Sequence, residues 1–281
     1  MKAISARPGE RGDWLEILIP VIAVFRWRAA VRQFLVRAIA RRYRASAFGL
    51  LWAVIVPLIT LGIYGFVFGV VMESRWQPAG GAAVPYSVNL FAGLIVFWLM
   101  ADAMGQAPAA VVEHTNLVKR ALFPLEVIPV VVVGNALFHT LINTVILLAA
   151  LLVLGVGIHP TVLLFPIVLL PFAVMLTGFA WILSALGVYF RDLIQVVGLL
   201  LTGVLFLSPV FYSTARLPPS IQDVIAFNPV TVIVNAARAV LLDGTVPDWA
   251  ALGIYFAVAW VVAVVGLAFF RKIRGNFADV L

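Results

Sequence analysis

No cysteine occurs among the 281 residues, which excludes disulfides, thiolate metal sites and a cysteine nucleophile. Charge is scarce as well: Asp, Glu, Lys and Arg make up 11% of the chain, against roughly 25% in an ordinary soluble domain. With 64% hydrophobic residues, a single water-soluble core is excluded and an integral membrane protein is indicated. Lysine is rarer still, present only as Lys2, Lys119 and Lys272, and none follows a glycine. A phosphate-binding loop of the Gly-Lys-Ser/Thr kind is therefore missing, and the chain cannot hold ATP by that device. The three histidines, His114, His139 and His159, are dispersed, no HExxH or GxSxG sequence occurs, and no paired carboxylates stand out. Catalysis has no constellation to start from, and no cofactor or metal is expected on this chain.

What is present is a series of long uncharged runs. From Ala45 to Met72 there is no Asp, Glu, Lys or Arg, and about 20 apolar residues suffice to cross a bilayer. Just before that run stand Arg26, Arg28, Arg32, Arg37, Arg41, Arg42 and Arg44. On a helix, Trp27, Val31, Phe34 and Ala38 form one stripe with arginines on both flanks, the pattern of a helix lying in the membrane interface with its stripe in the acyl boundary. A plain topology anchor is the competing reading. The apolar run Ile17 to Phe25 is followed by Arg26-Trp27-Arg28 rather than a small-residue cleavage site, so it is not expected to be a cleaved signal.

Six spans are expected, near 48–71, 87–110, 129–154, 162–189, 194–207 and 249–270. The 64 residues from Val127 to Phe190 carry no formal charge, twice what one tilted helix uses, so they predict a hairpin turning at Gly155–Pro160. The segment 208–238 holds too many Pro and Asn for a clean span and too much apolar content for a free loop, which predicts half-inserted, re-entrant helices. This topology places 16 of the 19 Lys and Arg on the side of the N-terminus and 3 on the other. By the positive-inside tendency both termini are cytoplasmic. The organisation expected is thus a cytoplasmic tail and interface helix over 1–46, a six-span region over 47–270 and a cytoplasmic tail over 271–281. A net charge of +7 on such a chain reports topology or contact with membrane lipids, and no nucleic acid is expected.

Ionisable groups within spans mark ion or proton paths, and the candidates are Asp102, His139 and Glu126; a hydrogen-bonded group between helices is the bland alternative for each. The spans are rich in aromatics instead, among them Trp52, Tyr64, Phe68, Trp98, Trp181 and Tyr212. Near span ends such residues form an interfacial belt; facing a channel, their amphipathic surfaces suit sugar rings.

Seven strings in this order, RYRASAFGLLWAVIVPL (42–58), LFAGLIVFW (90–98), NLVKRALFPLEVIPV (116–130), LGVYFRDL (186–193), LSPVFY (207–212), FNPVT (227–231) and NFADVL (276–281), resemble the permease subunits of type-2 ATP-binding-cassette exporters, the branch that exports polysaccharides such as O-antigen, teichoic acid or capsule. The resemblance implies an all-α integral membrane fold: a homodimeric channel of six-span subunits in the bacterial cytoplasmic (inner) membrane, driven by two copies of a separate nucleotide-binding ATPase that carries ATP and Mg. It implies a coupling loop docked on the ATPase with Glu113, Asn116, Lys119 and Arg120 as polar contacts. It also implies a gate at the periplasmic mouth, near Pro209, Asn228 and Pro229. Arg41, Arg42 and Arg44 then favour the pyrophosphate of a lipid-linked polysaccharide at the entrance, and the six aromatics above line the channel. Two other readings stay open: a permease for a drug or small lipid, and an ion-coupled flippase working through Asp102.

Overall fold

Apolar sequence in a medium without water leaves the backbone only its own hydrogen bonds to make, and among the described residues every regular element is a helix. The computed structural model describes residues 27–44, 48–71, 84–118, 124–212 and 228–281, together with Pro218, Ser220, Gln222 and Ile225. The expected tail up to Arg26 lies outside the described residues.

Helix α1 is Arg28–Arg44. After a 3-10 turn, Gly49–Leu51, comes α2, Trp52–Tyr64, which runs on as a π-helical stretch, Gly65–Val71. Helix α3 is Tyr86–Ala110 and α4 is Val127–Val153, with a 3-10 turn, Val112–His114, and the single helical turn Thr115–Val118 between them. A 3-10 turn, Pro160–Leu164, leads into α5, Phe165–Tyr189. Then follow α6, Leu193–Leu207; α7, Pro229–Arg238, with a π-helical end, Ala239–Asp243; α8, Trp249–Arg274; and α9, Phe277–Val280.

Five of these elements are long and apolar enough to cross a membrane: Gly49–Phe68, Tyr86–Ala110, Val127–Val153, Pro160–Tyr189 and Trp249–Arg274. The expected hairpin turns where Gly155 and Gly157 take φ of 71° and 82°, a backbone conformation that side chains with a Cβ disfavour. The fifth expected span, α6, is a helix of only 15 residues, about 22 Å long where a hydrocarbon core needs ~30 Å. Its stop has a local cause. Ser208 precedes Pro209 and is extended (φ −98°, ψ 150°), the conformation a following proline imposes.

The centre of the bundle is α3, 78% of whose most apolar window is buried, and which touches α4, α5, α6 and α7. Lipid tails are as apolar as leucine, so helices must gain from close van der Waals contact, and small residues allow it. An ideal Cβ on Gly266 of α8 would lie 2.2 Å from the carbonyl oxygen of Gly178 on α5, and one on Gly187 would lie 1.9 Å from the Pro108 oxygen on α3. At the latter crossing the Ser184 hydroxyl also donates to the Ala107 carbonyl at 2.8 Å. By contrast α2 is nearly bare, with 11% of its window buried, and α6 buries only Val197.

Helix α1 departs from its expected place. Val31, Phe34 and Ala38 are half-buried and Trp27 is exposed, and α1 packs along α4, where Leu35 fits over Gly134 at 3.3 Å from the position of a Cβ. The stripe thus faces the bundle rather than the acyl boundary. We call the end of the bundle that carries Arg41, Arg42, Arg271 and Arg274 the basic end. There the carboxylate of Glu126, 7% exposed, is ion-paired to Arg271 at 3.3 Å and to Arg274, while the Trp181 indole donates to the Glu126 carbonyl at 3.0 Å. Phe277 of the NFADVL segment is fully buried against Phe270, with ring centroids 5.6 Å apart.

The α5–α8 contact sets a test. Gly266→Val forces two backbones apart, whereas Gly253→Val on the same helix enters open space. The first variant is expected to lose about 1–3 kcal/mol of stability and the second close to none, read as thermal midpoints of the purified chain in detergent.

Candidate transport site

Periodicity brings three helices to one cavity. Trp52, Val56 and Thr60 recur every fourth residue on α2, Trp98 and Asp102 on α3, and His139 and Asn143 on α4, and residues four apart share a helix face. These seven, with Arg42 from the end of α1, line a cavity of about 480 Å³. Arg42 Nη1 lies 3.3 Å from Asp102 Oδ2, with the carboxylate 28% exposed, so the cavity holds an ion pair. The polar groups are therefore of both signs, and the two indoles supply flat apolar wall.

Of the residues expected from sequence, the structure thus joins one entry arginine, Arg42, to two aromatics, Trp52 and Trp98. Arg41, the neighbouring arginine, pairs instead with Glu113 at 3.3 Å, and both side chains are largely exposed, so water weakens the pair. That contact links an expected entry residue to the expected coupling loop. Asn116 of the loop is exposed; Lys119 and Arg120 lie outside the described residues, as does the Arg44 side chain. Asp102 and Glu126, read as possible marks of an ion path, both carry arginine partners.

The remaining aromatics divide. Tyr64 and Phe68 adjoin at 6.1 Å between ring centroids, Phe68 meets Tyr86 at 5.1 Å, and the Tyr86 hydroxyl donates to the Phe211 carbonyl. Phe211 stacks on Phe206 at 5.8 Å, and the Tyr212 hydroxyl donates to the Phe206 carbonyl at 3.3 Å. A line of rings therefore runs from α2 to the end of α6. Trp181 does not belong to it. At 1% exposure it is a core residue, held by its bond to the Glu126 carbonyl, and it lines no channel in this protomer.

The end of the bundle opposite the basic end contains the expected gate residues, of which Asn228 and Pro229 stand at the start of α7. Pro229 occupies the first turn of α7, where its missing N–H costs nothing. Asn228 caps the same helix, accepting from the Val230 N–H at 2.9 Å, while its amide donates to Ser208 Oγ at 3.0 Å and the Leu207 carbonyl at 3.2 Å. One side chain thus joins the end of α6 to the start of α7. Pro209 supplies an acceptor to a residue that sequence reasoning counted only as an outside charge, Arg238. This arginine, 5% exposed, donates to the carbonyls of Pro209 at 2.7 Å, Val210 at 2.8 Å and Asn89 at 3.3 Å. Gly93 makes room for it: a Cβ there would lie 2.9 Å from Nη2. The signal was available in VTVIVNAARAVLL, where a lone arginine in apolar sequence demands acceptors. Among the described residues no three of His, Asp and Glu gather as a metal site would require.

A family model described as ABC-2 type transporter matches residues 29–242. The chain belongs to the ABC-2 type transporter family. The match runs from α1 into the π-helical end of α7, so both the cavity and the Arg238 cluster lie within the ABC-2 region. The chain is also similar to an O-antigen export system permease protein RfbA of Myxococcus xanthus, 30% identical over 264 residues, 91% of this chain and 96% of that protein. A protein of the same description from Klebsiella pneumoniae is 27% identical over 242 residues, 85% of this chain and 90% of its own length. The similarity therefore covers nearly whole proteins on both sides.

Arg238→Met keeps the bulk of the side chain and removes every donor. It leaves three backbone carbonyls short of a partner and is expected to cost about 3 kcal/mol of stability, measured by equilibrium unfolding in micelles.

Proposed function

We propose that this ABC-2 chain is the permease subunit of an ATP-driven exporter that carries a lipid-linked polysaccharide of the O-antigen type across the bacterial inner membrane. The observation that carries the reading is the cavity in which Arg42 and Asp102 stand beside Trp52 and Trp98. Indoles stack on the apolar faces of sugar rings, and Asp102, Asn143 and Thr60 offer hydroxyl partners at the edge. The names of the similar proteins support the polysaccharide class.

In this reading two copies enclose the channel, and the little-covered faces of α2 and α6 belong to it. The line of rings from Tyr64 to Phe211 gives the glycan a wall along which to slide without a deep binding well. Arg41, Arg42 and Arg44 meet the pyrophosphate at the entrance, where Arg42 exchanges its carboxylate contact for a phosphate one, since charge-assisted bonds to either are of similar strength. A separate ATPase, present in two copies with ATP and Mg, bears on the loop that begins at Glu113 and includes Asn116, Lys119 and Arg120. The Glu113–Arg41 contact then passes loop movement to α1. At the opposite mouth, Pro209, Asn228 and Pro229 frame the gate. An ion-coupled flippase needs a carboxylate free to exchange protons, and the Arg42 partner of Asp102 disfavours it.

The test is export of surface glycan by cells that carry the Trp52→Ala/Trp98→Ala variant. Two stacking contacts of about 0.7 kcal/mol each predict a loss of roughly tenfold in export rate at unchanged membrane abundance. Export at the native rate by the double variant removes the cavity from the cargo path, and co-purification without any ATPase chain removes the exporter reading itself.

A further inference from the structure

A second cavity, of about 260 Å³, lies on the adjoining face of α1, between that helix, the end of α3 and the start of α4. Its rim is basic, with Arg37 and Arg41 one helical turn apart, and Glu113 and His114 opposite. Its floor is aliphatic, made by Ile128 and Val131 of α4. At its inner wall stands Asn135, 4% exposed, whose Oδ1 has no hydrogen-bond donor among the described residues. A buried amide oxygen without a partner is costly, so the site is built for a ligand that brings a donor.

The charges narrow the ligand further. Glu113 engages Arg41 at 3.3 Å. Arg37 lies over the Phe34 ring at 5.8 Å and has no carboxylate partner among the described residues. Two guanidiniums against one carboxylate leave a single positive charge unmatched. His114 Nδ1, 2.8 Å from the Ala110 carbonyl, donates to it, which fixes the ring at the cavity edge. The cavity therefore complements one negative charge together with a hydroxyl donor, beside an aliphatic floor at the end of a membrane-spanning bundle.

We infer that this cavity holds the headgroup of an anionic phospholipid that carries a free hydroxyl, the chemistry of a phosphatidylglycerol, with Arg37 on the phosphodiester and Asn135 on the hydroxyl. A monoanionic diester matches the single unmatched charge; a pyrophosphate, with more charge, does not. The lipid is resident rather than cargo, and the inference needs only that the chain spans a membrane. Once seated, the headgroup ties α1 to the turn at Glu113, so membrane composition governs how firmly α1 rests on α4.

The test is native mass spectrometry of the full chain in detergent, titrated with dioleoyl phosphatidylglycerol, phosphatidylmethanol (anionic, without the hydroxyl) and phosphatidylethanolamine. The native chain is expected to retain phosphatidylglycerol about fivefold over phosphatidylethanolamine, the increment one basic residue gives to an anionic lipid. Arg37→Gln, at an exposed position, abolishes that preference. Asn135→Leu abolishes the preference for phosphatidylglycerol over phosphatidylmethanol while both anionic lipids still outbind phosphatidylethanolamine. Equal retention of all three lipids by the native chain, or native retention by Arg37→Gln, overturns the assignment. Displacement of phosphatidylglycerol by an added lipid-linked pyrophosphate glycan overturns it too, because it makes the cavity a cargo site.

Discussion

A guanidinium buried among backbone carbonyls governs one end of this protein. Wherever a chain leaves helical geometry away from water, its carbonyls need donors, and here Arg238 supplies them to the turn after α6 and to the first turn of α3. The dependence is mutual, since without those acceptors a buried charge is untenable. Asn228 and Tyr86 complete the arrangement, the first joining α6 to α7 and the second reaching the Phe211 carbonyl. The short helix α6, the proline that stops it and the aromatic line that reaches it all rely on this cluster of donors.

The other end is organised by charge pairs rather than by a single cation. Glu126 gathers Arg271 and Arg274 at the start of α4, and Trp181 and Phe277 fill the space around them. Between the ends, glycines at the α5–α8 and α3–α5 crossings concentrate contact on one side of the molecule. The consequence is asymmetry: α3, α5 and α8 form a dense block, while α2 and α6 stand at its margin with most of their apolar surface uncovered.

Hydropathy made the long helices legible, because an uncharged run of more than 20 residues has few alternatives, and the Gly155–Pro160 turn followed from glycine and proline chemistry. The family was legible too, through short strings spread over the chain. What could not be read was which face of a helix meets which neighbour. The stripe Val31, Phe34, Ala38 is apolar whether it meets lipid or α4, and only Gly134, a hundred residues on, decides for α4. Trp181 failed as a channel residue for a similar reason, since a tryptophan in a span shows nothing of the carbonyl that will take its N–H. The bounds of α6 were legible as well, and its 15 residues are fewer than the ~20 that cross a hydrocarbon core unaided. Arg238 was visible as an anomaly, and its three acceptors come from segments far apart in the chain.

The pairing of Arg42 with Asp102 has an electrical consequence. A lone charge moved across a membrane does work against the potential, ~2.3 kcal/mol per 100 mV for one elementary charge. Opposite charges 3.3 Å apart sum to zero, so displacement of the Arg42–Asp102 pair as a unit contributes no gating charge. For as long as it stays closed, the pair is in this way silent to the membrane voltage, and only its separation would couple the cavity to the potential.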